Sequence, residues 1–149
     1  MNYYEEVKLP RFNKDSFYRE LIKLIPLMQD RTSKAKGWKS LDLKLDNKNK
    51  RILTTCTVVE EWINKISFST VYVAILEPKG YIDWHVDQKH ATMSKAINLY
   101  IKTDENSFIE FNDKFIWKPE EGKAYKFRAD IRHRVINGSK NLRMVMNLW

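Results

Sequence analysis

The stretch Tyr81-Ile82-Asp83-Trp84-His85-Val86-Asp87 reads as a β-strand that carries an imidazole and a carboxylate two residues apart. Side chains at i and i+2 of a strand leave the same face, so His85 and Asp87 point one way. A neutral imidazole nitrogen beside a carboxylate oxygen supplies two of the three protein ligands of a 2-His-1-carboxylate centre, which leaves metal positions open for chemistry. The third ligand has to come from elsewhere. The chain holds three histidines, His85, His90 and His133. His90 sits in the polar run Gln88-Lys89-His90 and is expected to face solvent. His133 lies in a second strand-like run, Ile131-Arg132-His133-Arg134-Val135-Ile136-Asn137, and is the natural partner.

Working outward, Pro78-Lys79-Gly80 has proline and glycine where a type I turn wants them, so the metal strand is expected to follow a turn. Beyond residue 67 the chain breaks into short strand-like runs separated by turn signals. These are 68–76, 81–87, 96–102, 108–111, 115–117, 124–127, 131–137 and 142–149. Asn137-Gly138 is a strong hairpin signal and predicts that the last two runs pair. Seven or eight strands after a helical start predict a mainly β fold, a double-stranded β-helix or jelly roll of the cupin kind.

Upstream, Asn13-Lys14-Asp15-Ser16 offers N-cap residues, and Phe17, Leu21, Ile22, Leu24 and Ile25 follow at helical spacing. Pro26 should end or kink that helix. Residues 34–50 are polar and lysine-rich, read as loop with one short strand over 38–45, and a short amphipathic helix is expected over 58–66. No repeat or linker divides the chain. It reads as one domain, 1–149, with about 1–66 as helical and looped support and about 67–149 as the β core that carries the site.

A length of 149 residues is enough to bury a core without disulfides. The single cysteine, Cys56, cannot form an internal bridge, the opening residues carry no secretory pattern, and no apolar run is long enough for a bilayer. A cytoplasmic protein without membrane partners is expected. The formal charge of +8 raises nucleic acid as a partner. The basic residues are scattered, however, with the densest group at 44–51, which reads as a solvated surface; nucleic acid is possible but not favoured.

The combination Trp117-x4-Gly122-Lys123-x3-Phe127-x5-His133-x-Val135-x-Asn137-x5-Arg143, with Pro78-x-Gly80-x4-His85 upstream, resembles the aspartyl/asparaginyl β-hydroxylase branch of the Fe(II)/2-oxoglutarate-dependent oxygenases over about residues 70–149. The resemblance implies Fe(II) held by His85, Asp87 and His133, with 2-oxoglutarate and O2 as cosubstrates. It implies Arg143 as the guanidinium that pairs with the distal carboxylate of 2-oxoglutarate, a role suited to the bidentate arginine fork. The implied activity is hydroxylation of an amino-acid residue of a peptide or protein, or of a small amino-acid-like substrate. The alternatives are a nucleic-acid demethylase of the same superfamily and a metal-binding cupin that is no oxygenase.

The sequence departs from the branch in two ways. Asp87 stands where its best-known members carry glycine, and Ala96 and Asn98 stand where they carry an Arg-x-His pair that contacts 2-oxoglutarate. Tyr72, Asn98 and Tyr100 are candidates to face the cofactor. Arg132 and Arg134 flank His133 and are expected on the opposite face, and Asp83 is expected at the surface near the strand end.

Overall fold

The computed structural model describes residues 2–31, 34–87 and 93–149; His90 lies outside them. Helix α1 (Lys14–Leu21) starts at Asn13, whose side-chain oxygen accepts the backbone N–H groups of Asp15 and Ser16 at 3.0 Å each. These are two of the donors a helix start leaves unpaired. Pro26 falls in a 3-10 segment, Ile22–Leu27, that follows directly. The N-terminus of α2 (Thr57–Asn64) is capped from α1: the Glu20 carboxylate accepts from Val58 N at 3.0 Å and Val59 N at 2.9 Å. This arrangement also places a negative charge at the positive end of the helix dipole. Among the described residues, no helix is long and apolar enough to cross a membrane.

The strands are β1 (Tyr4–Val7), β2 (Gln29–Asp30), β3 (Ala35–Leu45), β4 (Lys48–Asn49), β5 (Val71–His85), β6 (Ile97–Lys102), β7 (Ser107–Phe111), β8 (Ile116–Trp117), β9 (Ala124–Phe127), β10 (His133–Asn137) and β11 (Arg143–Leu148). They follow the order β1-β9-β6-β11-β5-β10-β7-β8, with β3 along the other edge of β5 and β2 and β4 on β3. Every pairing is antiparallel. The mainly β, jelly-roll expectation therefore holds. The first 66 residues add more than support, since β1 and the long β3 belong to the sheet.

Two local expectations are corrected. Pro78-Lys79-Gly80 does not reverse the chain; it lies inside β5, which runs on to His85. Leu76 and Tyr81 pair with Trp38 and Lys36, so Glu77–Gly80 bulge out opposite Gly37 alone. Lys79 adopts φ +64° there. A Cβ on Gly80 would stand 2.6 Å from the Lys36 carbonyl and 2.8 Å from that of Glu77, so only glycine lets the backbones approach this closely.

Asn137-Gly138, in turn, does not form a hairpin. β11 pairs with β5 over Leu76–Val71 and β10 pairs with it over His85–Tyr81, so the two strands lie end to end along one edge of β5. A type I′ turn needs positive φ at both central residues, and neither Asn137 nor Gly138 has one. The Asn137 amide instead donates to the carbonyls of Leu76, Glu77 and Asn141 at 2.9, 3.1 and 2.9 Å, filling the fork where the two strands part.

This fork makes the roll. The first half of β5 continues sideways into β11, β6, β9 and β1, and its second half into β10, β7 and β8. Val71, Val73 and Ile75 pack on one face with Phe17, Leu21, Val59 and Ile63 of the helices. A second cluster, including Ile82, Tyr100, Phe111, Trp117, Phe127, Val135 and Val145, fills the space between the two sheet halves. Their free edges meet through aromatic rings: Tyr4 of β1 stacks on Trp117 of β8 at 4.6 Å, and Tyr3 stacks on Phe115 at 4.2 Å.

Candidate metal centre and its cavity

His85 and His133 are register partners on β5 and β10, and their ring centroids are 4.3 Å apart. Each ring is fixed by a backbone carbonyl two residues earlier in the chain: His85 Nδ1 lies 2.7 Å from Asp83 O, and His133 Nδ1 lies 2.7 Å from Ile131 O. Those contacts place the proton of each neutral ring on Nδ1. Asp87, two residues past the strand end, is held by its N–H to Ala129 O at 2.9 Å. Its two oxygens divide between the rings, Oδ1 at 3.4 Å from His85 Nε2 and Oδ2 at 3.2 Å from His133 Nε2. One ligand atom from each of the three residues lies within 4.8 Å of the others.

This arrangement fits a metal ion on its own terms. With Nδ1 donating, each Nε2 presents a lone pair to a carboxylate oxygen, and two lone pairs at that distance repel unless a cation stands between them. Burial pushes the Asp87 carboxyl up, but its bonds to His133 and His85 outweigh that and hold it well below the usual carboxylate range. For His85 burial favours the neutral ring, and Asp87 together with the Asp83 carbonyl outweighs it, raising the pKa. His133 is 1% exposed, walled by Phe111 and Phe127 at 5.9 and 5.1 Å, while Asp87 is open on one side. The carbonyl contacts to Nδ1 are the outer partners that ligating histidines usually have.

The three groups open into a cavity of about 510 Å³, a size suited to small molecules. Its floor comes from alternate residues of paired strands. Tyr72, Asn147 and Asn98 form one row across β5, β11 and β6, and Ala74, Val145 and Tyr100 form the next. Arg143 opens β11 opposite Leu76 and also lines the cavity. Its guanidinium lies over the Tyr100 ring at 5.1 Å, with Nη2 donating to the hydroxyl at 3.4 Å. Burial pushes the Tyr100 phenol up, against the pull of Arg143, so the neutral hydroxyl persists beside the cation. No carboxylate among the described residues pairs with Arg143.

The sequence candidates Tyr72, Asn98 and Tyr100 all line this cavity, as does Ala96. Asn98 Oδ1 accepts from Asn147 Nδ2 at 2.6 Å. Arg132 and Arg134 lie on the outer face over Trp84, at 5.8 and 5.0 Å, with Arg134 paired to Glu110. Asp83 is exposed. Arg31, Trp38, Lys95 and Asn147 line the cavity as well and were not anticipated. Strand parity alone places Asn147 on the face of Arg143; Arg31 gives no local signal, because long-range packing brings it in.

The aspartyl/asparaginyl beta-hydroxylase family matches residues 18–148 of the chain. No curated protein matches it in sequence. Among solved structures, AviO1 from Streptomyces viridochromogenes Tue57 is similar at TM-score 0.64 and 8% identity, covering 99% of this chain and 88% of that one. The viral collagen prolyl hydroxylase vCPH from Paramecium Bursaria Chlorella virus-1, in its 2OG complex, is similar at TM-score 0.60 and 16% identity, covering 99% and 94%. A Pseudomonas putida prolyl-4-hydroxylase is similar at TM-score 0.60 and 10% identity, covering 99% and 91%. These likenesses are of fold. With the family match over most of its length, the chain belongs to the aspartyl/asparaginyl β-hydroxylase family and is a 2-oxoglutarate-dependent hydroxylase.

Proposed function

We propose that His85, Asp87 and His133 hold Fe(II), that Arg143 pairs with the distal carboxylate of 2-oxoglutarate, and that the reaction places a hydroxyl on a carbon of a peptide residue or a small amino-acid-like substrate. One observation carries the reading: three metal-type donors within 4.8 Å of one another share a cavity with an arginine that lacks an anion among the described residues. A charged group in a part-buried, dry site is costly unless paired. A dicarboxylate whose keto-acid end lies at the metal supplies the missing partner. Tyr100 positions the guanidinium from below, and Asn98 and Tyr72 line the same floor.

The bound metal supplies activation of O2 at its open positions. The chain's own part is orientation and exclusion of water. The Asp83 and Ile131 carbonyls fix the rings, the Ala129 carbonyl fixes Asp87, and Phe111, Phe127 and Ile109 wall the site from solvent. The test is succinate formation that depends on Fe(II) and 2-oxoglutarate, joined to a mass-spectrometric screen of peptides and amino acids for a gain of one oxygen. No succinate from any of them, with metal loaded, overturns the reading.

A further inference from the structure

Arg31 is a second guanidinium in the cavity, and the proposed cosubstrate leaves it unused. It follows β2 directly, and its N–H bonds to the Trp38 carbonyl at 3.0 Å. Its side chain lies over the Trp38 ring at 5.1 Å and the Tyr72 ring at 4.9 Å. Nη1 donates to Ser40 Oγ at 3.2 Å, the one side-chain bond among the described residues for a group with five donors. No carboxylate among the described residues pairs with it. Two aromatic rings and a hydroxyl hold the fork at the cavity wall, where Arg31 is exposed and most of its donors have no partner among the described residues.

Arg31 and Arg143 cannot share one small diacid. Arg31 continues the line of β2 and Arg143 sits on β11, so β3 and β5 lie between them, three strand spacings or about 14 Å of backbone. Their guanidinium groups lie over different strands, that of Arg31 over Trp38 of β3 and Tyr72 of β5 and that of Arg143 over Tyr100 of β6, with β11 between. A five-carbon diacid anchored at the metal and at Arg143 leaves Arg31 empty.

The charge balance points the same way. Among the described residues the charged side chains lining the cavity are Arg31, Lys95 and Arg143 against Asp87, apart from the two histidines. A divalent metal adds two positive charges and the 2-oxoglutarate dianion removes two, so an excess of two remains for whatever else binds. On the same floor, Asn147 Oδ1 is buried and has no donor among the described residues, and Asn147 is the register partner of Tyr72. An unfilled acceptor of this kind wants an N–H.

We infer that Arg31, seated on Trp38 and Tyr72, holds the carboxylate of the substrate itself, and that the substrate is a small amino acid with a free carboxylate whose amino group faces Asn147. This rests on the hydroxylase reading above and names the substrate class it left open. A peptide residue flanked by neutral amide bonds would leave Arg31 without its anion.

The test is binding of the twenty L-amino acids and of their primary carboxamides to the Mn(II)-loaded protein, with and without 2-oxoglutarate, followed by calorimetry. The expected result is an amino acid that binds at least tenfold more tightly than its carboxamide. Arg31→Met should abolish that difference, Arg31→Lys should restore part of it, and the 2-oxoglutarate affinity of Arg31→Met should stay within about twofold of wild type, against the large loss in Arg143→Met. Equal affinity of acid and amide, no binding by any amino acid, or a loss of 2-oxoglutarate affinity in Arg31→Met overturns the inference. Failure of 2-oxoglutarate to bind wild type overturns the cosubstrate reading instead, and the comparison made without it still decides the role of Arg31.

Discussion

His85 and His133 turn the same atom, Nε2, toward one carboxylate, at 3.4 and 3.2 Å from the two oxygens of Asp87. The geometry comes from a register pair on neighbouring strands and from two carbonyls that orient the rings, so each of the three side chains is needed by the other two.

Removing any of them should therefore abolish tight metal binding. Loss of an outer partner of a ligand already costs about 10–100-fold in affinity, so His133→Ala, His85→Ala and Asp87→Asn should each cost roughly a hundredfold or more. Calorimetric titration of Mn(II) into the apo-protein checks this. Unchanged affinity in His133→Ala would remove it from the site.

Arg143→Ala should weaken 2-oxoglutarate by roughly a hundredfold or more while leaving metal affinity near that of wild type. Deleting one partner of a desolvated ion pair costs on the order of 3–5 kcal/mol, and about 1.4 kcal/mol is a factor of ten. Arg143→Lys keeps the charge and loses the fork, so it should recover only part. Titrating 2-oxoglutarate into Mn(II)-loaded wild type and both variants distinguishes these outcomes.

Asn137→Ala should lower the melting temperature by about 2–12 °C. The amide serves three carbonyls at the fork between β10 and β11. Leaving buried acceptors unpaired costs about 1–3 kcal/mol, each worth about 2–4 °C in a domain of this size. Calorimetric melting measures it, and a shift below 1 °C would mean that water fills the fork without loss.

Acid should weaken the attachment of α1 to the sheet. Burial raises the Glu121 carboxyl, but its bonds to Lys14 Nζ at 2.6 Å and Thr103 N at 3.0 Å prevail and lower it from its ordinary 4.5. A depressed folded-state value means that the stability is fully present above 4.5 and is lost as pH falls through the lower, folded value. Glu121→Gln should cost about 0.5–1 kcal/mol at neutral pH and flatten that acid limb. Denaturant midpoints between neutral pH and pH 2 test the sign.

The candidate metal centre was legible because its signals are local: His85 and Asp87 are two residues apart, although Asp87 lies past the end of β5 and is set by the Ala129 carbonyl, and only one other histidine sits in a strand-like run. The turn readings failed at Pro78-Lys79-Gly80 and Asn137-Gly138 because each dipeptide preference assumes that nothing else bids for the backbone. Here β3 continues alongside β5 and suppresses the first reversal, and the Asn137 side chain bonds both to its own loop and to the carbonyls of Leu76 and Glu77, holding the chain in the fork instead of a two-residue turn. The strand expected over 38–45 was found too short for a related reason: the lysines of β3 face solvent, and its pairing with β5 is supplied from far along the chain. Arg31 was invisible because its place depends on that same distant pairing.

The closure of the roll by Tyr3 and Tyr4 has a consequence for how the chain reaches its native state. Residues 3–7 are joined to strands made more than a hundred residues later, so this seam must wait until β8 and β9 exist. Contacts of such high sequence separation fold slowly. Until the seam closes, β9 presents an open edge, the kind of surface through which strands of different molecules associate. Glu5 and Glu6, placed along the strand that covers it, leave a charged outer edge once it is shut.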